Sequence, residues 1–430
     1  APASQIGRAA HNSASVSGTY GNEVISTDPP YYDNIGYADL SDFFYVWLRR
    51  SLRGVYPDLL STMLTPKSDE LIASPYRHEG SKAKAAAFFE TGLGSAIGQW
   101  RTHAYADAPT TIFYAFKQAE TDTSGTASTG WETFLAGVIE HGFVITATWP
   151  MRTETSSRMI AIAGGGTNAL ASSIVLACVP RTADAPMATR REFADRLRGE
   201  LPEKIRTLQS GNIAPVDLAQ ASIGPGMGVF SGYSKVVNAD GSQMTVHEAL
   251  QLINQVLDES LSEQESDFDA ETRFALKWFD QSGMNEGPFG DAETLAKAMA
   301  VSVRGVVESG VATSKAGKVR LLQSGELDAD WDPQTDDRLT IWEVTQHLIR
   351  ELEQNGEPAA ADLLRRVGSG AGQTARELAY RLYQTCERKK WAEWARSYNG
   401  LVVSWPEIEK LARERRAEPT PADAGLFENQ

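Results

Sequence analysis

The feature that most narrows what this chain can fold into is a five-residue run, Glu23-Val24-Ile25-Ser26-Thr27, that passes directly into Asp28-Pro29-Pro30-Tyr31. The run is short, β-branched and bounded by Gly21 and Pro29, which predicts one buried strand of a parallel sheet. Asp28 then stands at the strand's carboxyl end. Open α/β sheets bind their ligands outside that end, in the crevice at the topological switch point.

The next segments keep an α/β rhythm. Leu40, Phe43, Phe44, Trp47, Leu48 and Leu52 recur at three- and four-residue spacing, with Asp39, Ser41, Arg49, Arg50 and Arg53 mostly opposite, so an amphipathic helix with a core-facing stripe is expected. A second helical stretch runs from Glu79 to about Tyr105. Strand signals return in Thr110 to Phe116, Phe143 to Trp149 and Ser173 to Val179, with a helix from Trp131 to His141 between the first two. Beyond about Arg190 the texture becomes helical and acidic. Leu250 to Leu257, Leu339 to Leu348 and Tyr380 to Tyr398 carry helical periodicity there, and Gly224-Pro225-Gly226-Met227-Gly228 predicts a turn or loop. The expected organisation is a Rossmann-like α/β part over 1–185, a mainly helical domain over 186–415 and a frayed tail over 416–430.

Charge and composition exclude several classes. With 430 residues and 42% apolar content the chain can bury more than one core. It has no basic leader and no apolar run of membrane-spanning length, so a cytoplasmic protein is expected. Cys178 and Cys386 are far apart and read as reduced, buried thiols, and the six histidines show no metal-ligand spacing. The net charge of −15 argues against a chain that coats nucleic acid by bulk electrostatics. Residues 1–190 carry 14 basic and 17 acidic side chains, a balance of −3, which leaves −12 for the remaining 240. Nucleic-acid contact is therefore expected in the first part or on a local patch.

The residues of the loop suit one kind of chemistry. The Asp28 carboxylate and the Pro29 carbonyl, held inward by the two prolines, can each accept one hydrogen bond from an exocyclic NH2 group. Such a pair draws the amine towards sp3 geometry and fixes its orientation. Tyr31 offers an aromatic face for a base turned out of its duplex. The surroundings extend this. Thr27 to Ile35, followed by Tyr37 to Arg50, resembles the large adenine-specific DNA methylases that carry a zinc ribbon upstream. The resemblance continues through Thr65-Pro66-Lys67, Phe113 to Lys117, Gly130-Trp131-Glu132, Thr148 to Glu154 and Thr167 to Ser173. It implies the catalytic half and C-terminal region of an enzyme that transfers methyl from S-adenosyl-L-methionine (AdoMet) to the N6 amine of adenine in DNA. Catalysis falls on Asp28, Pro29, Pro30 and Tyr31, and the setting is restriction-modification or phage defence. N4 of cytosine remains an alternative, since the same tetrapeptide serves either amine. So does a non-catalytic subunit that binds DNA or a partner and is completed in trans.

Members of such families also resemble one another in a glycine loop for AdoMet, Asp-Pro-Phe-x-Gly-x-Gly, and none precedes Asp28. Gly164 and Gly166, in Ala163 to Leu170, are weak cofactor candidates, because the strand from Ile174 follows too soon for the helix an AdoMet loop requires. The expectation is a fragment whose AdoMet half lies in a missing N-terminal segment or a partner subunit. Further substrate-binding candidates are Tyr32 and Asn34 beside the loop, Trp149 and Arg152 after the third strand, and Lys117 after the second. The basic group Arg388-Lys389-Lys390 beside Trp391 and Trp394 reads as a solvated helix face before it reads as a DNA contact.

Overall fold

Pro29 and Pro30 lack the N–H that a ladder needs and stop the first strand early, leaving β1 (Ser26–Thr27) with two residues, in a computed structural model that describes residues 13–15, 23–30, 32, 36–115, 129–151 and 173–417. The chain is mixed α/β with a mainly helical C-terminal region. It divides into two compact units: Ala1–Thr153, Ala171–Gly199 and Ile223–Ile253 form the first, and Glu154–Leu170, Glu200–Ser222 and Asn254–Gln430 form the second.

In the first unit β1 pairs in parallel with β2 (Thr110–Ala115), Thr27 opposite Ile112. Between them run α1 (Tyr37–Leu52) and α2 (Lys82–His103), as a parallel crossover requires. After α3 (Thr129–Glu140) come β3 (Phe143–Met151) and β4 (Ser173–Pro180), and the sheet order is β1-β2-β4-β3. β4 is antiparallel to both its neighbours. β1, β2 and β3 therefore share one direction and β4 alone is reversed, where the strand rhythm by itself suggested a parallel set. Among the described residues β1 is an edge strand, paired on one side only.

Against one face of this sheet lies the part from Ile223 onward of α5 (Pro215–Ser231), which follows β5 (Met187–Thr189) and α4 (Arg190–Ser210). Here the glycine run at 224–228 is helical rather than a loop. The reason is close approach, not turn geometry. A Cβ on Gly224 would stand 2.3 Å from the backbone nitrogen of Thr148, and one on Gly228 would stand 2.9 Å from the Ile145 carbonyl. Gly224 N–H donates to Thr148 Oγ1 at 3.0 Å. At the register shift between Ile145 and Ala147, Ile145 N–H donates to the Ser231 hydroxyl at 3.0 Å. Gly226 is pressed against Ile253 of α6 (Val246–Glu263), which follows β6 (Lys235–Val237).

Among its described residues the second unit is helical apart from one small sheet. Its first part contains α7 (Ala270–Ser282), β7 (Gly287–Pro288), α8 (Phe289–Ala298), α9 (Val303–Glu308), β8 (Ala312–Lys315) and β9 (Lys318–Leu321). Then come α10 (Ile341–Asn355), α11 (Glu357–Val367), α12 (Ser369–Lys389) and α13 (Ala392–Ala417). Phe279 anchors this unit, with Trp342, Trp391, Trp394 and Tyr398 all within about 6 Å of its ring centre. The basic run at the end of α12 is occupied locally: Arg388 and Lys389 reach Asp280 at 2.6 and 3.6 Å. Cys178 and Cys386 are both buried, and burial pushes the Cys178 thiol up to about 12. Among the described residues no helix is long and apolar enough to cross a membrane, and no cluster of side chains has the makings of a metal site.

Candidate active site

Asp28 leaves the sheet at the carboxyl end of β1, exposed, while Pro29 is buried and Pro30 half-buried behind it. Burial of the Pro29 ring is what fixes the backbone of the loop. Four residues on, Tyr32 is held from three directions. Its carbonyl accepts a hydrogen bond from Ala73 N–H at 2.7 Å, its ring meets Phe89 edge-on at 5.1 Å, and a Cβ on Gly130 would stand 2.9 Å from Tyr32 Cβ. Gly130 is thus a glycine because Tyr32 passes close by. Its neighbours in the sequence are structural too. Trp131 is buried beside Tyr114 and Phe134, and Glu132 Oε1 lies 2.7 Å from His247 Nδ1.

Beside Tyr32 opens a cleft of about 520 Å³, lined by Tyr32, Asp39, Ser74, Tyr76, Arg77 and Lys82 among others. Its wall is built from ion pairs. Arg77 reaches Glu70 at 2.6 Å and Asp39 at 2.7 Å, and Glu70 also accepts from the Ala38 N–H at the start of α1. Burial works against the Arg77 charge, but the two carboxylates outweigh it and its pKa is raised. Farther along, Lys67 contacts Asp42 at 2.7 Å, and the Thr65 hydroxyl donates to the same carboxylate. Lys67 first, then Thr65, hold the Asp42 carboxyl down at about 2. Residues 62–77 are in this way pinned to α1 and to the loop after β1.

β3 ends at the same end of the sheet as β1, on the opposite lateral edge, and there Trp149 is 57% exposed and Met151 is exposed as well. The sheet brings the loop of β1 and the end of β3 to one side, with β2 between β1 and the reversed strand. Of the residues singled out from sequence, Asp28, Pro29, Pro30, Tyr32 and Trp149 are at this end of the sheet. Tyr31, Asn34, Lys117, Arg152, Gly164 and Gly166 lie outside the described residues, as does the tail beyond residue 417. The Arg77–Glu70–Asp39 lock is not apparent from the sequence, because its members are 7 and 38 residues apart and belong to no local pattern. The resemblance marks Asp39, within Tyr37 to Arg50, and the neighbouring Thr65-Pro66-Lys67, but neither Glu70 nor Arg77.

A family model described as a domain of unknown function (DUF8807) matches residues 269–426. That span begins at Asp269, the N-cap of α7, and takes in the helical C-terminal region, a little over a third of the chain. No curated protein and no solved structure matches the chain.

Proposed function

We propose that this chain carries the catalytic loop of an AdoMet-dependent DNA methyltransferase that acts on the N6 amine of adenine, in the cytoplasm of its host. The observation that carries the reading is the position of Asp28-Pro29, an exposed carboxylate followed by a buried proline at the carboxyl end of a parallel edge strand. In a doubly wound sheet of order 3-2-1-4-5-6 the two halves meet between strands 1 and 4, and ligands bind at that junction. The open side of β1 and its parallel pairing with β2 correspond to strands 4 and 5 of such a sheet. The finer Rossmann-like assignment rests on that correspondence and on the sequence resemblance.

The chain's own contribution concerns the amine. The Asp28 carboxylate and the Pro29 carbonyl accept its two hydrogens, so the nitrogen lone pair turns out of conjugation with the ring and towards the donor. Removing the base from the duplex exposes it to this pair. AdoMet, when bound, supplies a sulfonium methyl. The described residues do not form its cradle. Gly36, which precedes α1, is backed by Asp39 and Arg77, so the space behind it is filled by an ion pair. A segment outside the described residues, or a partner subunit against the open side of β1, holds the donor in this reading.

In cells expressing the full-length gene, Asp28→Ala should lower adenine methylation, read by methylation-sensitive sequencing, by at least about 100-fold while leaving the fold intact. Methylation retained at the wild-type level would refute the role of Asp28.

A further inference from the structure

We infer that the segment from α7 to β9 is a winged helix-turn-helix module that grips the phosphate backbone of duplex DNA through Arg304 of α9 and through Lys315 and Lys318 of the β8–β9 hairpin. The inference concerns the second unit alone and does not rest on the methyl-transfer reading.

The order of elements is the first observation. α8 and α9 are joined by four residues, Met299 to Ser302, with Ala300 in the left-handed region at φ 59° and Val301 N–H bonded to the Ala296 carbonyl at 2.9 Å. Ser302 caps α9 by accepting from Gly305 N–H. A turn of this length between two short helices is that of a helix-turn-helix. Directly after it the chain makes a hairpin, and β9 lies between β8 and β7 in a three-stranded antiparallel sheet. The hairpin is therefore fixed to the strand that precedes α8. Ala292, Ala296, Val303, Val306, Val311, Val319 and Leu321 are buried with Phe274 and Trp278 of α7, which gives the module an apolar interior of its own.

The outer surface is the second observation. Across residues 270–321 there are seven basic and six acidic side chains, close to neutral in a chain whose net charge is −15, and Lys297, Arg304, Lys318 and Arg320 each pair with a glutamate of the module or its flank. The Arg304 side chain is 88% exposed and pairs with Glu308 at 2.6 Å, an exposed contact that a phosphate could replace. The hairpin turns on Ala316 and Gly317, both at positive φ, so Lys315 and Lys318 face each other across its tip as a register pair. Like charges directly opposite on a hairpin are destabilising, and Glu286, 2.8 Å from Lys318, offsets only one of them. A phosphate bound at the tip would relieve both. α9 has six residues, too short to read many base edges, so the contact should be mainly with backbone and largely independent of sequence.

The test uses the whole chain and a fluorescein-labelled duplex of about 30 base pairs, followed by anisotropy between 25 and 150 mM salt. The wild-type chain should bind with a micromolar-range Kd and a steep salt dependence. Lys315→Gln/Lys318→Gln should weaken binding about tenfold at low salt and lower the log–log salt slope by about 2, and Arg304→Gln should lower it by about 1. Thermal melts of these variants should stay close to wild type, because the side chains are exposed and the lost Lys315–Lys318 repulsion opposes the lost Lys318–Glu286 attraction. A wild-type chain that leaves the duplex free overturns the inference, as does a hairpin variant that binds unchanged. Displacement of the duplex by polyglutamate at equal charge concentration also overturns it, since the surface would then take an acidic protein instead.

Discussion

Glu343 and His347 stand one turn apart on α10, and both are buried, at 5% and 1% exposure. Trp331 stacks on the His347 ring at 3.9 Å and donates its indole N–H to Asp336 at 2.9 Å. A Cβ on Gly310 would fall 2.1 Å from Glu343 Oε1, so the glycine there is required both by contact and by its φ of +69°. Burial, then the neighbouring Asp336 charge, pushes the Glu343 carboxyl up to about 8. Burial, then Arg350, pushes the His347 imidazole down to about 3. The two shifts act on stability at opposite ends of the pH scale. Glu343 keeps its proton in the folded state after the unfolded chain has lost it above about pH 4.5, so its contribution falls as pH rises towards 8. His347 stays neutral in the folded state, and its contribution falls as pH drops below 6.5 towards 3. Between 4.5 and 6.5 the two slopes oppose each other. Above 6.5 only Glu343 acts, at no more than about 1.4 kcal/mol per pH unit. Urea midpoints of the wild-type chain should therefore fall from pH 6.5 to 8, and Glu343→Gln should flatten that fall. Parallel curves for the two proteins would show that Glu343 is already ionised in the folded state.

At the scale of elements, α1 departs furthest from what its sequence predicts. Its spacing of Leu40, Phe43, Phe44, Trp47 and Leu48 describes a core-facing stripe, yet these residues are 48 to 69% exposed and Tyr45 is the one buried residue of the helix. Tyr45 instead donates to the Thr62 carbonyl at 3.1 Å and contacts the Thr62 hydroxyl at 2.8 Å. What fastens α1 is polar, through Asp39, Asp42 and the Ala38 N–H. Periodicity reports an apolar face but not whether the chain itself covers that face. The energetic order of the residues is thus inverted. Phe43→Ala and Trp47→Ala should each change unfolding stability by less than about 0.5 kcal/mol, while Tyr45→Phe should cost about 1 kcal/mol through its lost hydrogen bonds. Chemical denaturation measures both, and a larger loss for Phe43→Ala would mean the stripe packs within the chain. By contrast β2, β3 and β4 are legible to within a residue or two, because alternating β-branched and aromatic residues between helices leave few other readings. The reversal of β4 is not legible, since an apolar strand pattern carries no direction. Nor is the helix through Gly224 and Gly228, whose glycines answer to Thr148 and Ile145 some 80 residues earlier. At the candidate site Asp28 and Pro29 are legible because their chemistry is local, whereas Arg77 acquires its role only when folding brings Asp39 and Glu70 to it.

For the molecule as a whole, the change of texture near residue 185 is not where the contacts of the first unit end. That unit includes Ala171–Gly199 and Ile223–Ile253, and the later segment supplies what the sheet lacks. Ser231 accepts the Ile145 N–H, Thr148 Oγ1 accepts the Gly224 N–H, and Phe193 packs on Phe230 at 5.4 Å between ring centres. Arg181, at the end of the last strand, donates to the carbonyls of Ser231 and Tyr233, both at 3.3 Å. Glu132 meets His247. A polypeptide ending at residue 185 would retain all four strands of the sheet but expose Ile145 and Thr148, both now buried, and leave the Ile145 N–H without its partner. Uncovering a sheet face forfeits apolar burial worth about 25 cal/mol per Å², against a net stability of only about 5–15 kcal/mol for a whole domain. Residues 1–185 expressed alone should therefore show strand and helix signal by far-ultraviolet circular dichroism but no cooperative thermal transition, while the complete chain melts cooperatively. A sharp transition in the shorter polypeptide would show that the sheet is closed by the segments before residue 185, and that α5 is an accessory to this unit and not part of its core.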